Sequence, residues 1–97
     1  MRHIVMMRLK PGVFDEAAER EYRETFDALA REMPEEILRV QVHRNIVDRA
    51  QNMTVMIEMT LREEASLQRY LTHPLHVAMG KKYNPYVEAI ASFDCPD

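Results

Sequence analysis

From Arg2 to Lys10 the chain alternates, with His3, Val5, Met7 and Leu9 on one side and Arg2, Ile4, Met6, Arg8 and Lys10 on the other. A period of two predicts a strand, and its first side is nearly all apolar. Pro11-Gly12 ends it. After Asp15, which suits a helix N-cap, the apolar spacing changes to intervals of three and four through Ala18, Tyr22, Phe26, Leu29 and Met33. This is one stripe of a helix. Its other faces carry Glu16, Glu19, Arg20, Arg23, Glu24, Asp27 and Arg31, the mixed charge of a solvated surface, and Pro34 stops it.

Ile37 to Ile46 alternates again, with Leu38, Val40 and Val42 opposite Arg39, Gln41 and His43. Beyond the polar stretch Asp48 to Asn52, a third strand sets Met53, Val55, Ile57, Met59 and Leu61 against Thr54, Met56, Glu58 and Thr60. Leu67, Tyr70 and Leu71 then follow helical spacing, with Thr60 and Glu63 as a candidate capping box. Pro74 suits the first turn of a further helix, which must end before Pro85. A last strand alternates Val87, Ala89, Ala91 and Phe93 with Glu88, Ile90, Ser92 and Asp94.

The order strand, helix, strand, strand, helix pair, strand is that of an α+β, ferredoxin-like split βαβ fold with an antiparallel four-stranded sheet. The most apolar sets, His3/Val5/Met7/Leu9, Leu38/Val40/Val42 and Val55/Ile57/Met59, belong on the helix-covered face. The opposite face keeps Ile4, Met6, Met56 and Ile90, too much large apolar surface to leave wet. A second copy is the simplest cover, which predicts a homodimer through the open sheet face, with Arg39, Gln41, His43 and Glu58 hydrogen-bonded there or at its rim.

Composition narrows the function classes. Ninety-seven residues support one core, hence one domain over 1–97. The net charge of -3 arises from interleaved signs, so no basic face is available for nucleic acid. No apolar run reaches the roughly 20 residues of a membrane span. The lone Cys95 reads as a reduced thiol, and the expected location is cytoplasmic.

Candidate chemistry rests on four histidines. His3 is either a core histidine with one hydrogen bond or a pocket residue, and His43 belongs to an interface or rim. His73, before a proline, suits a helix cap. His73 and His76 have a spacing that two metal ligands can use, but neighbouring Cys or acidic ligands are lacking, so no metal is expected. His76 with Tyr70 in an apolar pocket could instead remove a proton next to a carbonyl and stabilise the enolate, without a cofactor. Tyr70 and Tyr83 could equally pack at a helix junction. Both glycines are isolated, so phosphate-loop and dinucleotide fingerprints are absent.

The opening Arg2-His3-Ile4-Val5-Met6-Met7-Arg8-Leu9-Lys10, Asn45 and the run Leu67-Gln68-Arg69-Tyr70-Leu71-Thr72-His73-Pro74-Leu75-His76 resemble the stress-responsive α/β-barrel (Dabb) family over nearly the whole chain. The resemblance implies a ferredoxin-like fold that dimerises sheet to sheet into a dimeric α/β barrel. Its members include stress-induced proteins without assigned chemistry and a plant polyketide cyclase that works without cofactor. The residues matching Tyr70 and His76 are that cyclase's catalytic pair, and the one matching His3 lines its pocket. The chain departs from the cyclase at Val55, where the cyclase has a further pocket histidine, so the resemblance does not imply the same substrate; His3, Val55 and Tyr83 are the expected substrate contacts.

Three functions follow from these readings. The first is binding or conversion of a small aromatic or polyketide-like molecule by His76 and Tyr70. The second is a non-catalytic, stress-related dimer. The third is a cofactor-free monooxygenase or haem-degrading role on the same barrel, with haem disfavoured by the lack of tryptophan.

Overall fold

The alternating segments pair as one sheet in the computed structural model, which describes residues 1–97. Its strands are β1 (Arg2–Leu9), β2 (Ile37–Arg44), β3 (Val55–Leu61) and β4 (Val87–Cys95), in the order β2-β3-β1-β4 with every neighbour antiparallel. Helix α1 (Glu16–Glu32) connects β1 to β2, while α2 (Glu64–Leu71), α3 (Pro74–Tyr83) and a 3-10 turn (Asn84–Tyr86) connect β3 to β4. This is the ferredoxin-like α+β fold expected from the element order. No helix is long and apolar enough to cross a membrane.

Local chemistry sets the helix ends. Asp15 Oδ1 accepts from the Ala18 N–H at 2.9 Å, satisfying one of the orphan donors of the first turn. The stripe Ala18, Tyr22, Phe26 and Leu29 is buried, in one core with Val42, Val55, Ile57 and Met59 of the sheet. Burial of such an apolar stripe, rather than propensity, carries most of a helix's stability in a folded protein.

Four expectations are corrected. Leu38 was placed on the covered face but is 52% exposed, whereas Ile37 is 3% exposed. The register against Leu61 and Thr60 shifts between Ile37 and Arg39, so the extra residue turns outward and Ile37 takes the core position. Ile90 was placed on the open face, yet it pairs with Met7 and therefore shares the helix side; Phe93, paired with Ile4, is the large β4 residue on the open face. Thr60 does not begin a helix, because it is still paired with Arg2 in the sheet. The cap is Glu63, whose N–H donates to Ser66 Oγ at 3.3 Å. Finally, β2 stops at Arg44 and β3 starts at Val55, both short of the alternation, because the intervening loop is held by its own bonds: Asn52 Nδ2 donates to Asn45 Oδ1 at 3.0 Å and Asn45 Nδ2 to the Val47 carbonyl at 2.7 Å.

The open face therefore presents Ile4, Met6, Met56, Ala91 and Phe93, with Phe93 64% and Met6 36% exposed. Its polar members are organised around Glu58, which is paired to Arg2 and lies 3.6 Å from His43 Nε2.

Candidate functional site

The break between α2 and α3 builds the site. His73 adopts extended backbone angles and its Nδ1 accepts from the Leu75 N–H at 3.1 Å, while Pro74 occupies the first turn where its missing N–H costs nothing. The capping role expected of His73 is thus observed. The turn brings His76 back against the end of α2, and its Nδ1 lies 2.9 Å from the Leu71 carbonyl. A carbonyl can only accept, so Nδ1 holds the hydrogen and the Nε2 lone pair is left free. Burial pushes the His76 pKa below the ordinary imidazole value; the Leu71 bond opposes this shift and the nearby His3 reinforces it. Neutral at pH 7, His76 is in the form that accepts a proton.

Tyr70, in the last turn of α2, is 1% exposed, and its ring meets the His76 ring edge-on at 4.7 Å between centroids. Burial raises its phenol far above the ordinary value, so the hydroxyl stays protonated. That hydroxyl forms no hydrogen bond within the protein, and no buried side-chain oxygen is both sealed and unpartnered, so the cavity reaches it. His3 reaches the same place from β1, its ring 6.0 Å from Tyr70. It is 6% exposed and its Nδ1 lies 2.5 Å from Asp94 Oδ1. His3 thus has a fixed hydrogen-bond partner and also lines the cavity.

These side chains surround a cavity of about 430 Å³ between helices and sheet, with Val5, Met7, Phe26, Ile57, Leu67 and Met79 among its apolar walls. Its size and apolar lining are those of a small-molecule site. No lysine or arginine lines it. Tyr83 does, but its hydroxyl donates to Glu21 Oε1 at 2.5 Å, so Tyr83 offers the cavity a ring whose donor is already engaged.

Val55 does not join the others. It is 2% exposed within the core and is not part of the cavity wall; Ile57, two residues on along the same face of β3, lines it instead. His73 and His76 do not converge on a metal, since the first caps α3 and the second is tied to Leu71; no group of three His, Cys, Asp or Glu side chains is placed to hold one. Asp94, Ser92 and Tyr22 also line the cavity and were not singled out from the sequence. For Asp94 and Ser92 the only signal is the β4 register, which pairs them with His3 and Val5.

No curated protein sequence matches the chain. Among solved structures, a dimeric protein of unknown function with a ferredoxin-like fold from Bacteroides fragilis superposes with a TM-score of 0.82 at 24% identity, over 99% of this chain and 94% of that one. The hydroxynitrile lyase of Passiflora edulis gives 0.73 at 22% identity, over 95% and 87%. HapK from Hahella chejuensis gives 0.72 at 14%, over 99% and 93%. At these identities the likeness shows the fold. The model of the stress responsive A/B barrel domain matches residues 1–97, and on that match the chain belongs to this family.

Proposed function

We propose that the cavity binds a small uncharged carbonyl compound and enolises it, with His76 as base, Tyr70 as hydrogen-bond donor and His3 in the wall. The observation that carries this reading is the Tyr70 hydroxyl, buried, protonated and without a protein partner beside a histidine whose Nε2 is free. In the step, Nε2 removes a proton from the carbon next to the carbonyl, the C–H electrons move into the new enolate C=C bond, and the carbonyl oxygen takes the negative charge against Tyr70 O–H. Apolar walls keep water from competing for that bond. No cofactor takes part in this step.

The protein is further proposed to act as a cytoplasmic homodimer, closing an α/β barrel across its open sheet faces. The apolar residues exposed on that face and the dimeric description of the Bacteroides fragilis protein support this. A purely non-catalytic dimer leaves the unpartnered Tyr70 hydroxyl without a role.

Deuterium exchange into the methyl group of acetophenone, followed by proton NMR, tests the chemistry. Exchange above buffer is expected, reduced about 10²- to 10⁴-fold by His76→Gln, the range of a positioned general base. A base works in its neutral form, and burial lowers the His76 pKa. The rate is therefore expected to be flat through the neutral range and to fall in acid, below the ordinary imidazole range, as the imidazole takes up its proton. Absence of protein-dependent exchange, or an unchanged rate and acid limb in His76→Gln, would overturn the assignment.

A further inference from the structure

The cavity holds a second hydroxyl with the same unusual status as Tyr70. Tyr22 is 2% exposed, lines the cavity from α1, and forms no hydrogen bond within the protein, yet its oxygen is not sealed. A hydroxyl that meets no protein acceptor but opens on the cavity can donate to whatever the cavity holds, so an occupant with an oxygen at that point gains a hydrogen bond there. Burial pushes the Tyr22 phenol up to about 12, with Glu21 adding to the shift, so it remains a donor throughout the neutral range.

The two hydroxyl-bearing rings are separated by one aromatic ring. Phe26 lies 6.3 Å from Tyr22 and 6.3 Å from Tyr70, centroid to centroid, and all three border the cavity. Tyr83 flanks Tyr22 at 4.9 Å with its own hydroxyl engaged by Glu21, so of these two tyrosines Tyr22 is the one whose hydroxyl is free. The cavity wall contains no lysine or arginine, and its one carboxylate, Asp94, is engaged by His3. An anionic group placed inside would have no countercharge, and burying it unpaired is strongly unfavourable.

We propose that Tyr22 is a second ligand-binding residue, donating to a second oxygen of an uncharged, flat molecule that lies along Phe26 with its first oxygen at Tyr70 and His76. This narrows the substrate class from a carbonyl compound to one carrying two neutral oxygens on a flat frame. It rests on the cavity being a small-molecule site, as proposed above.

Binding of two probes, acetophenone and 4-hydroxyacetophenone, to the full chain and its variants by titration calorimetry separates the two levels. The unmodified protein is expected to bind the dioxygenated probe about three- to tenfold more tightly, the value of one neutral hydrogen bond. Tyr22→Phe keeps the ring that packs between Phe14 and Tyr83 and should bring the affinity ratio of the two probes to about one. Tyr70→Phe should weaken both probes. If Tyr22→Phe retains the preference, the Tyr22 assignment is overturned and the cavity reading stands. If neither probe binds the unmodified protein at millimolar concentration, both fall.

Discussion

Met6→Asp is expected to convert the protein to a single chain of 11.5 kDa, measured by light scattering at micromolar concentration, without unfolding it. Met6 lies on the open side of the central strand β1, flanked by Met56 on β3 and Ala91 on β4, at the middle of the apolar patch. A carboxylate there would have to be buried without a partner in a sheet-to-sheet dimer, a penalty of roughly several kcal/mol per ion that two-fold symmetry imposes twice. Glu58 on the adjoining strand is already paired with Arg2 and offers no compensation. In the isolated chain the same position is 36% exposed, so the substitution leaves the core unchanged. Retention of the dimer by this variant would place the interface elsewhere.

Leu29→Ala is expected to destabilise the fold by about 3 kcal/mol, within the range for emptying a leucine site in a core. Leu29 has no exposed surface and anchors the C-terminal half of α1 in the core. Against a typical total of roughly 5–15 kcal/mol, this is a large fraction of the stability. Denaturant unfolding should show a lower midpoint with an unchanged slope, because the folded and unfolded states still differ by nearly the same surface. A loss under about 1 kcal/mol would mean that the site collapses around the missing atoms and that α1 is held by other contacts. The variant also bears on the cavity, since α1 carries Tyr22 and Phe26 to its wall.

The fold was largely legible because each element has one strongly apolar face. The alternation of β1 and β3 and the Ala18-Tyr22-Phe26-Leu29 stripe needed no further information, and Asp15 and Pro74 marked helix starts by their own chemistry. Periodicity misled at β2, where one bulge moves Leu38 out and Ile37 in. It also misled at β4, whose uniformly apolar set includes Ala91 and Phe93 on the open face, so that only pairing with β1 shows Ile90 and Asp94 turned toward the cavity.

The site was legible in part for the same reason. Tyr70 and His76 are close in sequence, and a helix break at His73-Pro74 suffices to bring them together. Asp94 is 91 residues from its partner His3, and nothing local in either segment announces the pairing. Tyr22 was hidden by its own stripe: on a helix face a tyrosine counts as an apolar position, and only the geometry reveals a hydroxyl that packing has left unpartnered. Val55 followed from the family likeness alone, and the core claims it.

The most direct test of the account is the nitrogen NMR spectrum of the His76 imidazole at pH 7, recorded with and without 4-hydroxyacetophenone. The geometry predicts a neutral ring with its hydrogen on Nδ1, held by the Leu71 carbonyl, and an Nε2 resonance that moves when the probe enters. A protonated ring, a hydrogen on Nε2, or an Nε2 signal indifferent to saturating probe would contradict His76 as the free base of a small-molecule site.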